Sequence, residues 1–174
     1  MKEIIKSVIP KFTEFKSTLC VLYKHCAVKE DWFVCTLMNI LNELKKDNKI
    51  KDFKIEQDNI DLLIELEEEK VYCEIKNWID KTRATINRKE NGYLLSSWLG
   101  NKSGFWNKDF DKLFKKKEEG HKAYFMIFYL AKDYDNETKI NKTIEIFSEN
   151  KNIKPDSINI FKIVDFCYLI LFQI

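Results

Sequence analysis

Residues 59–78 read NIDLLIELEEEKVYCEIKNW, and their period decides the fold. Ile60, Leu62, Ile64 and Leu66 alternate across one run, and Val71, Cys73 and Ile75 alternate again after the turn from Glu67 to Lys70. A period of two is that of a strand with one face buried. Phe53 and Ile55 alternate in the same way before the turn at Asp58-Asn59, so the segment predicts three short strands in an antiparallel meander. Residues two apart share a face, so Glu74 and Lys76 lie together, with Cys73 and Ile75 on the other side. The same alternation sets Asp61 opposite Ile60, Leu62 and Ile64. Hairpin pairing of the second and third strands then brings Asp61, Glu74 and Lys76 to one place.

Two carboxylates at close range repel, and each tends to hold its proton unless a cation neutralises them. Mg2+ suits such a pair, because it prefers carboxylate oxygens and binds phosphates, and the Ile75 backbone carbonyl supplies a further oxygen. Lys76 is placed to assist a water activated by the ion, or to stabilise charge developing on an attacked phosphate. That chemistry is metal-assisted phosphodiester hydrolysis. The plainer alternative is a solvated hairpin face, on which Glu74 and Lys76 form a surface pair like Glu65 and Glu67 to Glu69. Asp58, in the turn, is a fallback for Asp61.

Outward from the meander the period becomes helical. Ile5, Val8, Ile9, Phe12, Phe15, Leu19 and Leu22 recur at spacings of three and four within Ile4 to Tyr23, predicting a helix interrupted or begun at Pro10. Glu30 to Lys46 has Phe33, Leu37, Ile40, Leu41 and Leu44 on one helical face, acids at its start and lysines at its end. Residues 80–100 read as helix. GNKSGFWN, from Gly100 to Asn107, reads as an ordered loop, with a short helix from Asp109 ending near Gly120. Tyr124 to Ala131 is a continuous apolar run, expected as a central strand buried on both faces. Residues 137–149 read as helix with Ile140, Ile144 and Phe147 inward, and Ile158 to Phe172 as one or two closing strands. The expected class is α/β (α+β), a central mixed sheet with an N-terminal antiparallel meander, flanked by helices.

At 174 residues the chain is long enough for one full core. We expect a single domain over 1–174, with a core at about 30–131, a helical extension at 1–29 and a closing helix and strands at 132–174. Hydrophobic residues at 45 % with aromatics at 14 % exclude a disordered chain, and 33 % charged residues with four Gly and two Pro point to a soluble, element-dense fold. The start MKEIIKSVIPKF lacks a signal-peptide core and no apolar run reaches a membrane span, so the expected location is the cytoplasm, with no membrane partner. Cys20, Cys26, Cys35, Cys73 and Cys167 form no zinc-ligand spacing and read as free thiols.

Charge is unevenly spread. Residues 80–122 carry 11 basic against 6 acidic side chains, whereas 1–79 carry 13 against 15 and 123–174 carry 6 against 7. A basic middle on a near-neutral chain suggests a local polyanion contact. The residues expected to hold phosphates are Lys81, Arg83, Arg88, Lys89, Lys102, Lys108, Lys115, Lys116 and Lys117. Trp98, Phe105 and Trp106 suit base stacking or core packing. His25 and His121 have no nucleophile at a recognisable spacing.

Asp61, twelve intervening residues, then Glu74-Ile75-Lys76, on a helix, meander, helix, strand order, resembles the PD-(D/E)XK nuclease superfamily, which includes many restriction endonucleases and Holliday-junction resolvases. The resemblance covers about Glu30 to Ala131. It implies a restriction-endonuclease-like fold and a Mg2+-dependent endonuclease acting on DNA, with Mn2+ as a substitute ion. On that match Asp61 and Glu74 are metal ligands and Lys76 the catalytic lysine; Ile60 stands where the motif name has proline. Many members carry a further acid on the helix before the strands, and Glu30 and Glu43 both qualify. The rival expectation is a nuclease-like module that binds nucleic acid or a subunit without cutting, its C-terminal run FKIVDFCYLILFQI packing on another chain. A homodimer suits either reading.

Overall fold

The computed structural model describes residues 1–24, 30–79, 107–130, 140, 141, 145 and 153–174. Its elements run α1 (Lys2–Glu14), α2 (Lys16–Lys24), α3 (Glu30–Lys46), β1 (Asp52–Gln57), β2 (Ile60–Glu65), β3 (Lys70–Ile79), α4 (Asn107–Glu118), β4 (Lys122–Leu130), β5 (Ile158–Val164) and β6 (Cys167–Gln173). The strands form one six-stranded sheet in the order β1-β2-β3-β4-β6-β5. Only β3 and β4 run parallel; the other neighbours are antiparallel. The mixed sheet, its N-terminal meander and the central places of β3 and β4 agree with the expected class.

Helices cover both faces. On one, Ile5, Val8 and Phe12 of α1 and Phe33, Leu37 and Leu41 of α3 pack on Leu62, Cys73, Ile75, Met126 and Phe128. The Phe33 and Phe128 rings stack at 4.3 Å. On the other, Phe110 and Leu113 of α4 pack with Tyr72, Phe125, Ile127 and Ile170, and Phe110 stacks on Phe125 at 4.2 Å. β4 is therefore buried on both sides, as its unbroken apolar run requires. Gly120, at φ +86, ends α4 by letting His121 N–H reach the Lys116 carbonyl at 3.1 Å. No described helix is long and apolar enough to cross a membrane.

Three expectations are corrected. The first helix passes through Pro10 and breaks at Phe15, whose N–H turns back to the Phe12 carbonyl at 3.1 Å. Pro10 is exposed, and the buried stripe of Ile5, Val8 and Phe12 continues past it; packing of that stripe outweighs the one lost backbone donor. Ile60 does not share a core with Leu62 and Ile64 but joins Leu63 and Phe110 on the α4 side. Left-handed residues at Glu56, Asp58 and Asn59 re-aim the chain where β2 begins. The C-terminal run forms the β5–β6 hairpin, with β6 inserted between β4 and β5. Its apolar side chains Leu169, Ile170, Leu171 and Phe172 are buried in this chain's own core, which removes them as a docking surface. The expected helices at 80–100 and 137–149 lie outside the described residues, apart from Ile140, which is buried on the α4 side, and Asn141 and Glu145.

Candidate active site

The site lies where β2 leaves β3. Their register runs from Glu65↔Lys70 to Leu62↔Cys73 and stops there. Beyond it the Asp61 carboxylate takes the place of a strand backbone: Oδ2 accepts the Ile75 N–H at 2.7 Å. A charge-assisted bond of that kind fixes both the side chain and the edge of β3. The Ile75 carbonyl, the third expected oxygen, also lies past the end of the pairing.

On the α4 face of β3, Tyr72, Glu74 and Lys76 succeed one another at period two. Glu74 is 0 % exposed, which excludes the solvated surface pair. Lys76, 16 % exposed, places Nζ 3.2 Å from Asp61 Oδ2 and 3.5 Å from Glu74 Oε2. The three charges expected to converge do so.

Two further side chains complete the cluster. Asp109, in the first turn of α4 and 17 % exposed, brings Oδ2 to 3.5 Å from Lys76 Nζ. Lys112, one turn on and 37 % exposed, lies 3.2 Å from Glu74 Oε1 and 3.0 Å from Asp109 Oδ1. The packing of Phe110 and Leu113 on the sheet holds this edge of α4 against β3. Sequence reading missed both residues, taking Asp109 only as a helix start. The available signal was their spacing of three beside a Phe110/Leu113 apolar pair, which aims both at one flank of the buried stripe.

Three carboxyl groups thus face two ammonium groups. Burial pushes the Glu74 carboxyl up to about 8, the Asp61 and Asp109 charges add to the rise, and Lys76 opposes it. For Lys112, burial opposes protonation, but the Asp109 hydrogen bond and the Glu74 charge outweigh it and hold the ammonium above its ordinary value. Glu74 Oε2 is buried and has no hydrogen-bond partner among the described residues. Such an oxygen calls for a proton or a cation. Among the described residues no group of three or more His, Cys, Asp or Glu side chains is arranged to hold a metal ion. The donors that suit a hard cation are the Asp61 and Glu74 carboxylates, with the backbone oxygen of Ile75.

Other expected site residues lie elsewhere. Asp58 sits in the β1–β2 turn and pairs with Lys116 at 3.4 Å. Glu43 pairs with Lys11 at 3.0 Å, in the helical layer on the sheet face away from Glu74, so it does not reach the cluster. Glu30 opens α3, and its side chain lies outside the described residues, as do Lys81, Arg83, Arg88, Lys89, Trp98, Lys102, Phe105 and Trp106. Lys108, Lys115 and Lys117 are exposed on α4. Lys116 is held by Asp58 and Glu119 and lies 4.8 Å over the Tyr72 ring. Lys112, Lys115 and Lys116 line one side of an open cavity of about 710 Å³, with Asp58, Asn59 and Ile60 across from them. His121 packs near Tyr72 at 5.2 Å. Cys73 and Cys167 are buried thiols, with burial raising the first and pushing the second up to about 12, a state unsuited to nucleophilic work. Compared with known proteins, the chain matches no family model, no curated protein and no solved structure.

Proposed function

We propose that the chain is a divalent-metal-dependent nuclease that hydrolyses phosphodiester bonds in DNA, with Asp61 and Glu74 as metal ligands and Lys76 as the catalytic lysine. The observation that carries this reading is the buried Glu74 carboxylate, one oxygen without a hydrogen-bond partner, set beside Asp61 and Lys76 where β2 parts from β3. A bound Mg2+ or Mn2+ would supply Lewis acidity at the phosphate and neutralise the two carboxylates. Asp61 is oriented for its part by the Ile75 N–H. Lys76, an ammonium among three carboxyl groups, would steer an attacking water and stabilise charge on the phosphate oxygens. The exposed lysines of α4 attract the backbone of the substrate.

Incubation with supercoiled plasmid in Mg2+, Mn2+ or EDTA tests the reading. Nicked or linear product that requires the ion and is lost in K76A, by about 10²-fold or more, is expected. A second reading is favoured by the two lysines already neutralising the carboxylates: a nuclease-like module that binds nucleic acid without cutting. A salt-sensitive gel shift with no product in any metal would select it.

A further inference from the structure

The role of Lys112 goes beyond the usual pair of carboxylates and one lysine. Glu74 is fully buried, so it either holds a proton or, when ionised, needs cations beside it. Lys76 lies toward Oε2, and Oε1 is met from a different element, by Lys112 Nζ at 3.2 Å. That ammonium therefore stands where an ion held by Glu74 would draw its charge. Two cations on one carboxylate repel, so a divalent ion at Glu74 and the Lys112 ammonium disfavour one another.

Lys112 also has somewhere to go. Its side chain is 37 % exposed and borders the open cavity that Lys115 and Lys116 line. We propose that Lys112 is a built-in occupant of the cation position on Glu74, which the divalent ion displaces into the cavity, where the freed ammonium contacts a substrate phosphate. Lys112 is thus a positioning residue, linking metal loading to phosphate binding. The inference rests on the reading of Asp61 and Glu74 as metal ligands.

Calorimetric titration of Mn2+ into the whole chain tests it, with parent and variants compared at one pH. K112M is expected to bind Mn2+ about tenfold more tightly than the parent, the worth of one charge-assisted hydrogen bond, and K112R, which keeps the positive charge, within about twofold of the parent. If K112M does not fold, K112Q, which keeps a donor for Asp109 without the charge, gives the same comparison, and thermal melting in EDTA and in Mn2+ reports folding in each. Parent binding that D61N abolishes but that K112M leaves unchanged or weakens overturns the role of Lys112 alone. Absence of Mn2+ binding in the parent and K112M alike overturns the metal reading on which it rests.

Discussion

The Asp61 carboxylate accepts the Ile75 N–H at 2.7 Å, so one side chain both ends the β2–β3 pairing and opens the edge of β3 to a ligand. Structure and chemistry meet in a single carboxylate oxygen, because the same Oδ2 lies 3.2 Å from Lys76 Nζ. The two roles are separable by substitution.

D61N keeps an acceptor for Ile75 but removes the charge, whereas D61A removes both. An unsatisfied, partly buried N–H costs about 1–3 kcal/mol, and each kcal/mol shifts the melting midpoint of a chain this size by about 2–4 °C. D61A is therefore expected to melt several degrees below D61N, while neither cleaves plasmid. Equal melting of the two variants would mean that the Asp61–Ile75 bond does not hold the strand edge.

Glu74 makes stability depend on pH. Its carboxyl is raised from 4.5 to about 8 by burial and by the Asp61 charge. Between those values the folded chain holds a proton that the unfolded chain has released, so stability falls as pH rises through the window and levels above it. In EDTA the parent is expected to lose melting temperature across that range more steeply than E74Q, which has no proton to lose there. Parallel pH profiles for the two proteins would show that Glu74 is not the group responsible.

The parts legible in the sequence were those set by local period. Alternation in 53–75 fixed the meander, and the unbroken run at Tyr124 placed β4 between two helical layers. The Glu74-Ile75-Lys76 triplet with Asp61 gave three of the five charges of the cluster. Asp109 and Lys112 were not read as site residues, because they reach Lys76 and Glu74 only through the docking of Phe110 on Phe125, a contact between α4 and β4, far apart in the chain from β3. Ile60 changed sides because three left-handed residues precede it or lie close before it, at Glu56, Asp58 and Asn59, and period counting assumes extended backbone. Glu43 looked as eligible as Glu30 until the helical layer set it beside Lys11.

The lysines of α4 are separable by direction. A helix turns about 100° per residue, so Lys108, Lys112 and Lys115 share a stripe, while Lys117 points well away from Lys115. Lys115 lines the cavity beside the cluster, and Lys116 is engaged by Asp58, Glu119 and Tyr72. If a nucleic-acid strand follows the cavity to Glu74, K108A and K115A should each lower the slope of log binding constant against log salt by about 1. K117A should change it less, and K116A should act through folding, by about 1 kcal/mol or below as for other near-surface pairs. Anisotropy of a labelled oligonucleotide over a salt series reads all four variants. A K117A slope as low as that of K115A would mean diffuse attraction to the whole helix, and the cavity would lose its standing as the path of the strand.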